Sequence, residues 1–228
     1  MEDLNIFTPK ARARYPHLTN PDAFQGVSKY KCDLMFDPAN PEHSQFIAAV
    51  RKYETGAKKE IVEVAQAELD DLDANSKNPA IIKKIKALQV LVSDIDTEFN
   101  SPLKEEFDKD TGEPTGLYIL RSSSKSSFID KKTKAVINIA PKLYDATGNI
   151  ISGDRPQIGG GSELIMKVKL RGYSESFGCG LSSQIQAVQI IKLFEGGGGS
   201  DDGFSAVAGG GYVAPKAETF SDSDSMAY

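Results

Sequence analysis

Apolar and polar residues alternate in two segments near the start of the sequence, at residues 7–15 and 27–36. In the second segment the even positions between 30 and 36 are apolar or aromatic, and the odd positions between 29 and 33 are charged. Since successive side chains of a strand point to opposite faces, this alternation predicts half-buried β-strands. A stretch rich in proline, asparagine and glycine separates the segments and predicts a turn between them.

Between residues 40 and 95 the apolar residues recur every three to four positions, which is typical of amphipathic helices. Asn40-Pro41 and Asn78-Pro79 each predict a helix start, because asparagine caps free backbone N–H groups and proline fits the first helical position. Another helical run is predicted over residues 57–72. The segment 40–95 is therefore predicted to be a helical insertion with an acidic outer face.

After residue 116 the period returns to two, and turn sequences occur at residues 108–112, 130–133, 145–149 and 159–161. Strands are predicted near residues 116–121, 126–139, 142–151, 163–173 and 181–194. No βαβ alternation is present, so a closed or partly closed small barrel is favoured over an α/β sheet. The predicted fold class is mainly β: a small barrel with a helical insertion, formed by residues 1–195.

Residues 196–228 are rich in glycine, serine and aspartate and have no amphipathic period. Such a segment cannot bury enough apolar surface to offset the entropy lost on ordering. We therefore predict a flexible, disordered acidic tail after the folded domain.

Charge is distributed unevenly along the chain. The net charge is −5, but the tail has five acidic residues and one lysine, a local −4. Residues 117–194 have eleven Lys and Arg against five Asp and Glu, a local +6, whereas residues 40–110 have ten against fifteen, a local −5. The predicted β region is thus basic although the whole chain is acidic, which keeps a polyanionic partner in consideration.

The predicted strand at residues 163–173 has the most informative pattern. Its even positions are apolar, whereas Lys167, Lys169, Arg171 and Tyr173 share the opposite face. These residues lie at intervals of about 7 Å, close to the span of one extended nucleotide. Lysine and arginine neutralise phosphates and an aromatic ring stacks on bases, although a merely solvated strand face is an equal alternative for this strand alone.

Similar combinations of basic and aromatic residues occur in the other predicted strands, and together they favour a nucleic-acid-binding surface. The further candidate residues are Lys10, Arg12, Arg14, Tyr15, Tyr118, Arg121, Lys125, Lys131, Lys132, Lys134, Lys142 and Tyr144.

Enzymatic and metal-binding motifs are missing from the sequence. It has no Walker A loop and no GxGxxG motif after a strand, and His17 and His43 lie in turns without metal-ligand spacing. Cys32 and Cys179 are expected to be small buried thiols. We therefore expect no enzyme, cofactor or metal site. Without a signal peptide or a long apolar stretch, we expect a soluble, cytoplasmic protein.

Four segments resemble the replicative single-stranded DNA-binding proteins of tailed bacteriophages: LNIFTPKARARYPHL, GLYILRSSSKSSF, LYDATGNIISG and GGGSELIMKVKLRGY. The resemblance implies an OB fold with helical elaboration, and binding of single strands exposed during DNA replication, recombination or repair in the host cytoplasm. It assigns DNA contacts to Lys167, Lys169, Arg171 and Tyr173. It assigns contacts with replication proteins, such as a polymerase or helicase, to Asp222, Asp224 and Tyr228 of the tail.

Two other functions are alternatives. One is a structural or virion-associated β-protein whose basic face contacts another protein; under either function a homo-oligomer is left open. The other is an enzyme of DNA metabolism such as a nuclease, which is disfavoured because a nuclease needs clustered carboxylates to hold metal ions. The carboxylates of the β region are scattered instead.

Overall fold

The structure, a computed structural model, describes residues 2–72, 76–175 and 178–194. Residues Met1–Gly197 group as one compact unit. The predicted tail, with its candidate partner residues Asp222, Asp224 and Tyr228, lies outside the described residues, and the domain boundary after residue 195 stays a prediction.

The described residues form a mainly β fold with helices between the third and fourth strands. The N-terminal strands are β1 (Leu4–Phe7), β2 (Ala11–Phe24) and β3 (Val27–Phe36). The helices are α1 (Pro41–Asp71), α2 (Pro79–Ser93) and α3 (Ile95–Glu98). The later strands are β4 (Phe99–Asn100), β5 (Leu103–Phe107), β6 (Pro114–Lys125), β7 (Ser127–Ile129), β8 (Val136–Asn138), β9 (Lys142–Tyr144), β10 (Glu163–Glu175) and β11 (Gly178–Lys192).

The main sheet is curled, and hydrogen bonds join its strands in the order β4-β11-β10-β2-β3-β6-β5. Strand β1 also pairs with β10, and β9 pairs with β11. The first and last strands of that order, β4 and β5, are separated along the chain by only Ser101 and Pro102. Across the interior, the hydroxyl oxygens of Ser122 on β6 and Ser183 on β11 lie 2.8 Å apart. The sheet therefore curves toward a barrel without closing into one among the described residues.

Strand β10 shows why these residues form the wall of a core. Leu164, Met166, Val168 and Leu170 are fully buried, as their alternation predicted. They pack in one cluster with apolar residues of β2, β3, β6 and β11 and with Phe46 and Val50 of α1. Both cysteines are free and buried, which confirms that prediction, and burial raises the pKa of the Cys32 thiol well above its usual range.

Helix α1 corrects the prediction of two separate helices over residues 41–72. The side-chain oxygen of Asn40 accepts hydrogen bonds from the backbone N–H groups of Glu42, at 2.9 Å, and His43, at 3.4 Å, so the cap was predicted correctly. The helix continues through Gly56 because its buried face recurs every three or four positions, at Phe46, Val50, Glu54, Ala57, Ile61 and Ala65. Tertiary packing offsets the cost of an internal glycine, about 1 kcal/mol.

The two long helices differ in charge, although an acidic outer face was predicted for the insertion as a whole. Helix α1 has seven acidic and four basic residues. Helix α2 has three lysines, Lys83, Lys84 and Lys86, and no acidic residue. The acidic face therefore belongs to α1, and α2 is basic.

Several strand boundaries also differ from the predictions. Strand β2 runs through the predicted turn at Pro16–Pro21, and register shifts after Arg14 and after His17 absorb the irregular residues. The segments predicted as long strands at residues 126–139 and 142–151 form only the short β7, β8 and β9. Strands β4 and β5 were not predicted. The mainly β class with a helical insertion is confirmed, whereas assignment to the OB type stays a prediction.

Candidate nucleic-acid interface

An open groove of about 840 Å3 lies between strands β10 and β11 on one side and β5 and β6 on the other. It is lined by five cations and one tyrosine: Lys29, Lys104, Arg121, Lys125, Lys169 and Tyr173. Its other lining residues are uncharged, and no aspartate or glutamate is among the described residues that line it. We call this surface the basic groove.

Strand β10 supplies Lys169 and Tyr173 because its odd positions face away from the core. On the adjacent strand β11, Gln184 lies opposite Lys169 and Gly180 lies opposite Tyr173. Neither partner brings a negative charge to this face. The charged neighbour of Lys169 comes instead from the N-terminal segment, where the carboxylate of Asp3 lies 3.2 Å from its Nζ.

Gly180 also fixes the end of the groove. A β-carbon at Gly180 would overlap the carbonyl oxygen of Asn100, so only glycine lets β4 lie this close to β11. From this position the side-chain nitrogen of Asn100 donates a hydrogen bond of 3.3 Å to the hydroxyl of Tyr173. The tyrosine ring is thereby held at the edge of the groove by its own hydroxyl.

Strand β6 supplies Arg121 and Lys125 to the opposite wall. Lys125 lies directly opposite Lys29 of β3. Like charges at directly opposed positions destabilise a sheet, so a bound anion would relieve repulsion at this pair. Arg121 lies opposite Asp33, but its Nε is 4.0 Å from the carboxylate and its side chain remains 65% exposed.

The four residues predicted as one row on β10 do not all line the basic groove. Lys169 and Tyr173 line the basic groove, whereas Lys167 and Arg171 do not. The carboxylate of Asp3 lies 3.2 Å from Nζ of Lys169 and 3.9 Å from Nε of Arg171. Lys167 lies over the ring of Phe7, with its Nζ 5.6 Å from the ring centroid. Sequence analysis of β10 alone gave no sign of either neighbour.

Arg14 and Tyr15 belong to a different surface, which already contains its own acidic partner. Arg14 forms an ion pair with Glu106 of β5, and its guanidinium lies 5.1 Å from the centroid of the Tyr15 ring. Nζ of Lys109 donates a hydrogen bond of 3.4 Å to the Tyr15 hydroxyl. Hydrogen bonds from Arg14 and Lys109 lower the pKa of Tyr15. We call Arg14, Tyr15, Glu106 and Lys109 the Arg14 cluster.

Other predicted residues of the N-terminal strands and β6 lie outside the lining of the basic groove. Lys10 forms an ion pair of 3.3 Å with Glu163. Arg12 lines a separate surface depression together with Lys192. Tyr118 is half-buried, and the guanidinium carbon of Arg51 lies 5.8 Å from the centroid of its ring.

The remaining predicted residues lie at the periphery of the fold. Lys142 and Tyr144 are on β9, which pairs with the outer edge of β11 at residues 187–189. Lys131, Lys132 and Lys134 lie in the loop between β7 and β8, and all three are exposed. The structure therefore brings Arg121, Lys125, Lys169 and Tyr173 of the predicted set together in one groove.

Two cations of the basic groove were missed by sequence analysis. Lys104 lies on β5, in a segment for which no strand was predicted. Lys29 was placed on the polar face of its strand but was not recognised as a site residue, because its position opposite Lys125 depends on the pairing of β3 with β6. An alternating pattern shows which residues share a face, not which strand lies beside them.

Two negative findings concern the described part of the chain alone. Within residues 2–72, 76–175 and 178–194, no group of three or more His, Cys, Asp or Glu side chains is placed to hold a metal ion. Among the helices of the same ranges, none is both long and apolar enough to cross a membrane.

Comparison with known proteins gives a consistent result. The family model described as "Single-stranded DNA-binding protein, Bacteriophage T7" matches residues 5–193. The single-stranded DNA-binding protein of Escherichia phage T7 is 29% identical over 187 residues, 81% of this chain and 71% of the phage protein. That of Enterobacteria phage T3 is 36% identical over 100 residues, 42% of this chain and 43% of the phage protein.

Solved structures show the same similarity. The crystal structure of gp2.5, a single-stranded DNA-binding protein encoded by bacteriophage T7, has a TM-score of 0.60 and 25% identity, and the match covers 94% of this chain and all of gp2.5. The single-stranded DNA-binding protein of bacteriophage Enc34 in complex with single-stranded DNA has a TM-score of 0.51 and 14% identity. That match covers 85% of this chain and 89% of the Enc34 chain, and it concerns the fold alone.

Proposed function

We infer that this chain, which belongs to the family of the single-stranded DNA-binding protein of bacteriophage T7, binds single-stranded DNA in the basic groove. Family membership confirms the predicted resemblance to bacteriophage single-stranded DNA-binding proteins. The family is one of DNA-binding proteins and not of enzymes, as expected from the sequence. The observation that supports the groove as the site is its lining by five cations and no described carboxylate.

The chemistry of the groove suits a single strand. Cations on both walls would neutralise phosphates and release the counterions condensed on them, which gives most of the affinity at low salt. Tyr173 offers an aromatic ring at the edge of the groove, where a base can stack. The Enc34 protein shares this fold and is described in complex with single-stranded DNA, so the fold is compatible with the ligand.

The groove is expected to bind without sequence preference. Phosphate charge and base stacking are common to all sequences. The uncharged lining residues, mainly serine and glutamine, can hydrogen-bond to any base or sugar. No helix of the described chain projects from the groove as a recognition helix would.

A binding comparison tests the proposal. Fluorescence anisotropy with labelled single-stranded and double-stranded oligonucleotides, each at two salt concentrations, should show tighter binding to the single strand and weaker binding at high salt. A basic face that serves only to contact another protein would show no preference for single strands. Equal affinity for the two DNA forms would contradict the proposal.

We also propose a biological setting for this activity. The chain would cover and protect single strands exposed during phage DNA replication, recombination and repair, in the host cytoplasm. The acidic residues Asp222 and Asp224 and the aromatic Tyr228 of the tail would contact a polymerase or helicase. Pull-downs of replication proteins with the full chain and with a chain truncated before Tyr228 test this contact. Identical recovery would contradict it.

The charge of the tail suggests a second role. At −4 it repels DNA phosphates and competes with them for basic residues, and salt screens this effect. Deleting residues 196–228 should tighten DNA binding at low salt and change it little at high salt. An equal change at both salt concentrations would show that the effect is not electrostatic.

A further inference from the structure

Strands β7 and β8 form a two-stranded ribbon that is separate from the main sheet. Its apolar side chains are exposed: Phe128 at 45%, Ile129 at 64%, Val136 at 65% and Ile137 at 40%. An isolated two-stranded hairpin is only marginally stable in water, and a contiguous exposed apolar patch usually marks an interaction site. The exposed apolar surface of the ribbon is therefore a candidate binding surface.

The base of this ribbon is part of the basic groove. Ser126 is buried, and both its backbone N–H, at 3.2 Å, and its hydroxyl, at 2.9 Å, donate hydrogen bonds to the carbonyl of Ser28. The backbone N–H of Ile139 donates a hydrogen bond of 2.7 Å to the carbonyl of Ser126. Ile139 itself lines the groove, next to Lys125 in the same wall. The ribbon thus rises from the rim of the DNA site.

Strand register assigns the two faces of the ribbon. Phe128 lies opposite Ile137, and Ile129 lies opposite Val136. Directly opposed residues share a face, and residues two apart on one strand share it too, so Phe128 and Ile137 lie on the face of Ile139. Ile129 and Val136 lie on the other face. Only the first face continues the wall of the groove.

The loop at the tip adds positive charge. It contains Lys131, Lys132 and Lys134, with Asp130 as its one acidic residue. The carboxylate of Asp130 accepts hydrogen bonds from the backbone N–H groups of Lys132, at 2.8 Å, and Thr133, at 2.7 Å. That carboxylate caps the turn, whereas the three lysines are exposed.

We propose that the β7–β8 ribbon is a base-contacting arm that extends the single-stranded DNA site beyond the basic groove. Phe128 stacks on a base, Ile137 and Ile139 pack against the same strand of DNA, and the lysines at the tip contact phosphates. The occupant is DNA and not a second copy of the chain, because the apolar face is continuous with the groove and the tip is basic. This inference rests on the proposed function.

The sequence offers a direct probe, because the chain has no tryptophan. Phe128→Trp places a single tryptophan on the groove face of the ribbon, and Ile129→Trp places one on the opposite face at the adjacent, more exposed position. Addition of oligo-dT should quench the fluorescence of the first variant strongly and that of the second little. DNA binding is followed independently by the anisotropy of a labelled oligonucleotide.

The outcomes separate this inference from the proposed function. If neither variant nor the unmodified chain binds the oligonucleotide, the proposed function fails and the arm fails with it. If the oligonucleotide binds but the tryptophan at position 128 is not quenched, the arm is wrong and the groove proposal stands. Equal quenching at positions 128 and 129 also contradicts the arm.

Two alanine substitutions measure how much each face of the ribbon contributes to DNA affinity. We use an oligonucleotide short enough to bind a single protein molecule. Phe128→Ala should weaken its binding about tenfold, as expected for loss of one stacked base. Ile129→Ala should leave that affinity within about twofold, since the outer face makes no contact with DNA in this scheme. If Phe128→Ala instead lowers self-association in sedimentation without changing short-oligonucleotide affinity, the face binds a second copy and the proposal is overturned.

Discussion

The basic groove and the Arg14 cluster contain the same kinds of residue, yet they differ in whether a carboxylate is part of the surface itself. Both combine cations with a tyrosine, and both looked alike in the sequence. No carboxylate is among the described residues that line the groove, although Asp3 pairs with Lys169 from outside that lining, whereas Arg14 is paired with Glu106 within its own cluster. The comparison shows that the neighbouring strand, and not the basic strand itself, decides whether a cation is available to a ligand.

Strand β6 has both acidic and basic neighbours along its length. Toward its middle, Arg121 lies opposite Asp33 of β3, and the depression that contains the Arg14 cluster is also lined by Glu105 and Glu106 of β5. Toward its end, Lys125 lies opposite Lys29. Acidic neighbours thus lie beside the middle of β6, where Arg121 borders both the basic groove and the depression of the Arg14 cluster, and a basic neighbour lies at its end. The proposed DNA site includes this basic end.

Charge reversal should have the largest effect. The triple change Arg121→Glu, Lys125→Glu and Lys169→Glu should weaken single-stranded DNA binding about a hundredfold or more at low salt, because repulsion replaces attraction at both walls. Fluorescence anisotropy measures this loss, and circular dichroism verifies folding.

The matched control has the same change in net charge. Lys10→Glu, Lys109→Glu and Lys142→Glu alter three cations outside the groove, and affinity should fall only a few-fold through the long-range field. Equal losses in the two triple variants would mean that net charge, and not the groove, governs binding.

Removing a tyrosine ring gives the next largest effect. Tyr173→Ala should weaken DNA binding by about 1 to 3 kcal/mol if its ring stacks on a base. Tyr15→Ala should change affinity little, because the ring of Tyr15 lies in the Arg14 cluster under Arg14. The two dissociation constants are measured by titration with labelled oligo-dT. A larger loss for Tyr15 would reverse the assignment of the two regions.

The Arg14 cluster should matter for stability instead. Arg14→Ala removes the cationic partner of Glu106, whose side chain is only 13% exposed, and leaves it the hydrogen bond of 3.2 Å from the hydroxyl of Thr115. We expect a loss of about 1 to 3 kcal/mol in the free energy of unfolding, measured by urea denaturation. Single-stranded DNA affinity should remain within about twofold of the unmodified chain. A stable Arg14→Ala variant with impaired DNA binding would show that Arg14 contacts DNA.

The smallest expected effect is that of pH on the stability of the folded chain, through Tyr15. The pKa of Tyr15 lies below its usual value because Arg14 and Lys109 donate hydrogen bonds to its hydroxyl. In the unfolded chain Tyr15 keeps its proton to higher pH, so its contribution to stability should increase as pH rises from the folded pKa to about 10. Absorbance at 295 nm, compared between the unmodified chain and Tyr15→Phe, follows this titration. Arg14→Ala should return the transition to higher pH.

Local features of the fold could be predicted from the sequence. The alternation along β10 identified its buried and exposed faces, and the Asn-Pro pairs identified the starts of α1 and α2, because each depends on neighbours in sequence. The single long α1 was missed since the packing of its buried face overrides Gly56. Strand β5 was missed because its five residues, LKEEF, have no clear alternation.

The residues of the candidate site could be predicted only in part for the same reason. Lys169, Tyr173, Arg121 and Lys125 were identified by residue type and periodicity. Their separation from Arg14 depends on which strands pair, and the ion pair between Asp3 and Lys169 depends on β1 pairing with β10. Strand register of this kind is set by contacts between residues far apart in sequence. A local pattern does not contain that information.

The salt dependence of binding tests the central claim most directly. The logarithm of single-stranded DNA affinity should fall linearly with the logarithm of salt concentration, with a slope of roughly 0.7 per neutralised phosphate. Lys169→Ala or Lys125→Ala should each lower that slope by about 0.7, whereas Lys109→Ala in the Arg14 cluster should leave it unchanged. Equal slopes for the unmodified chain and both groove variants would contradict the assignment of DNA to the basic groove.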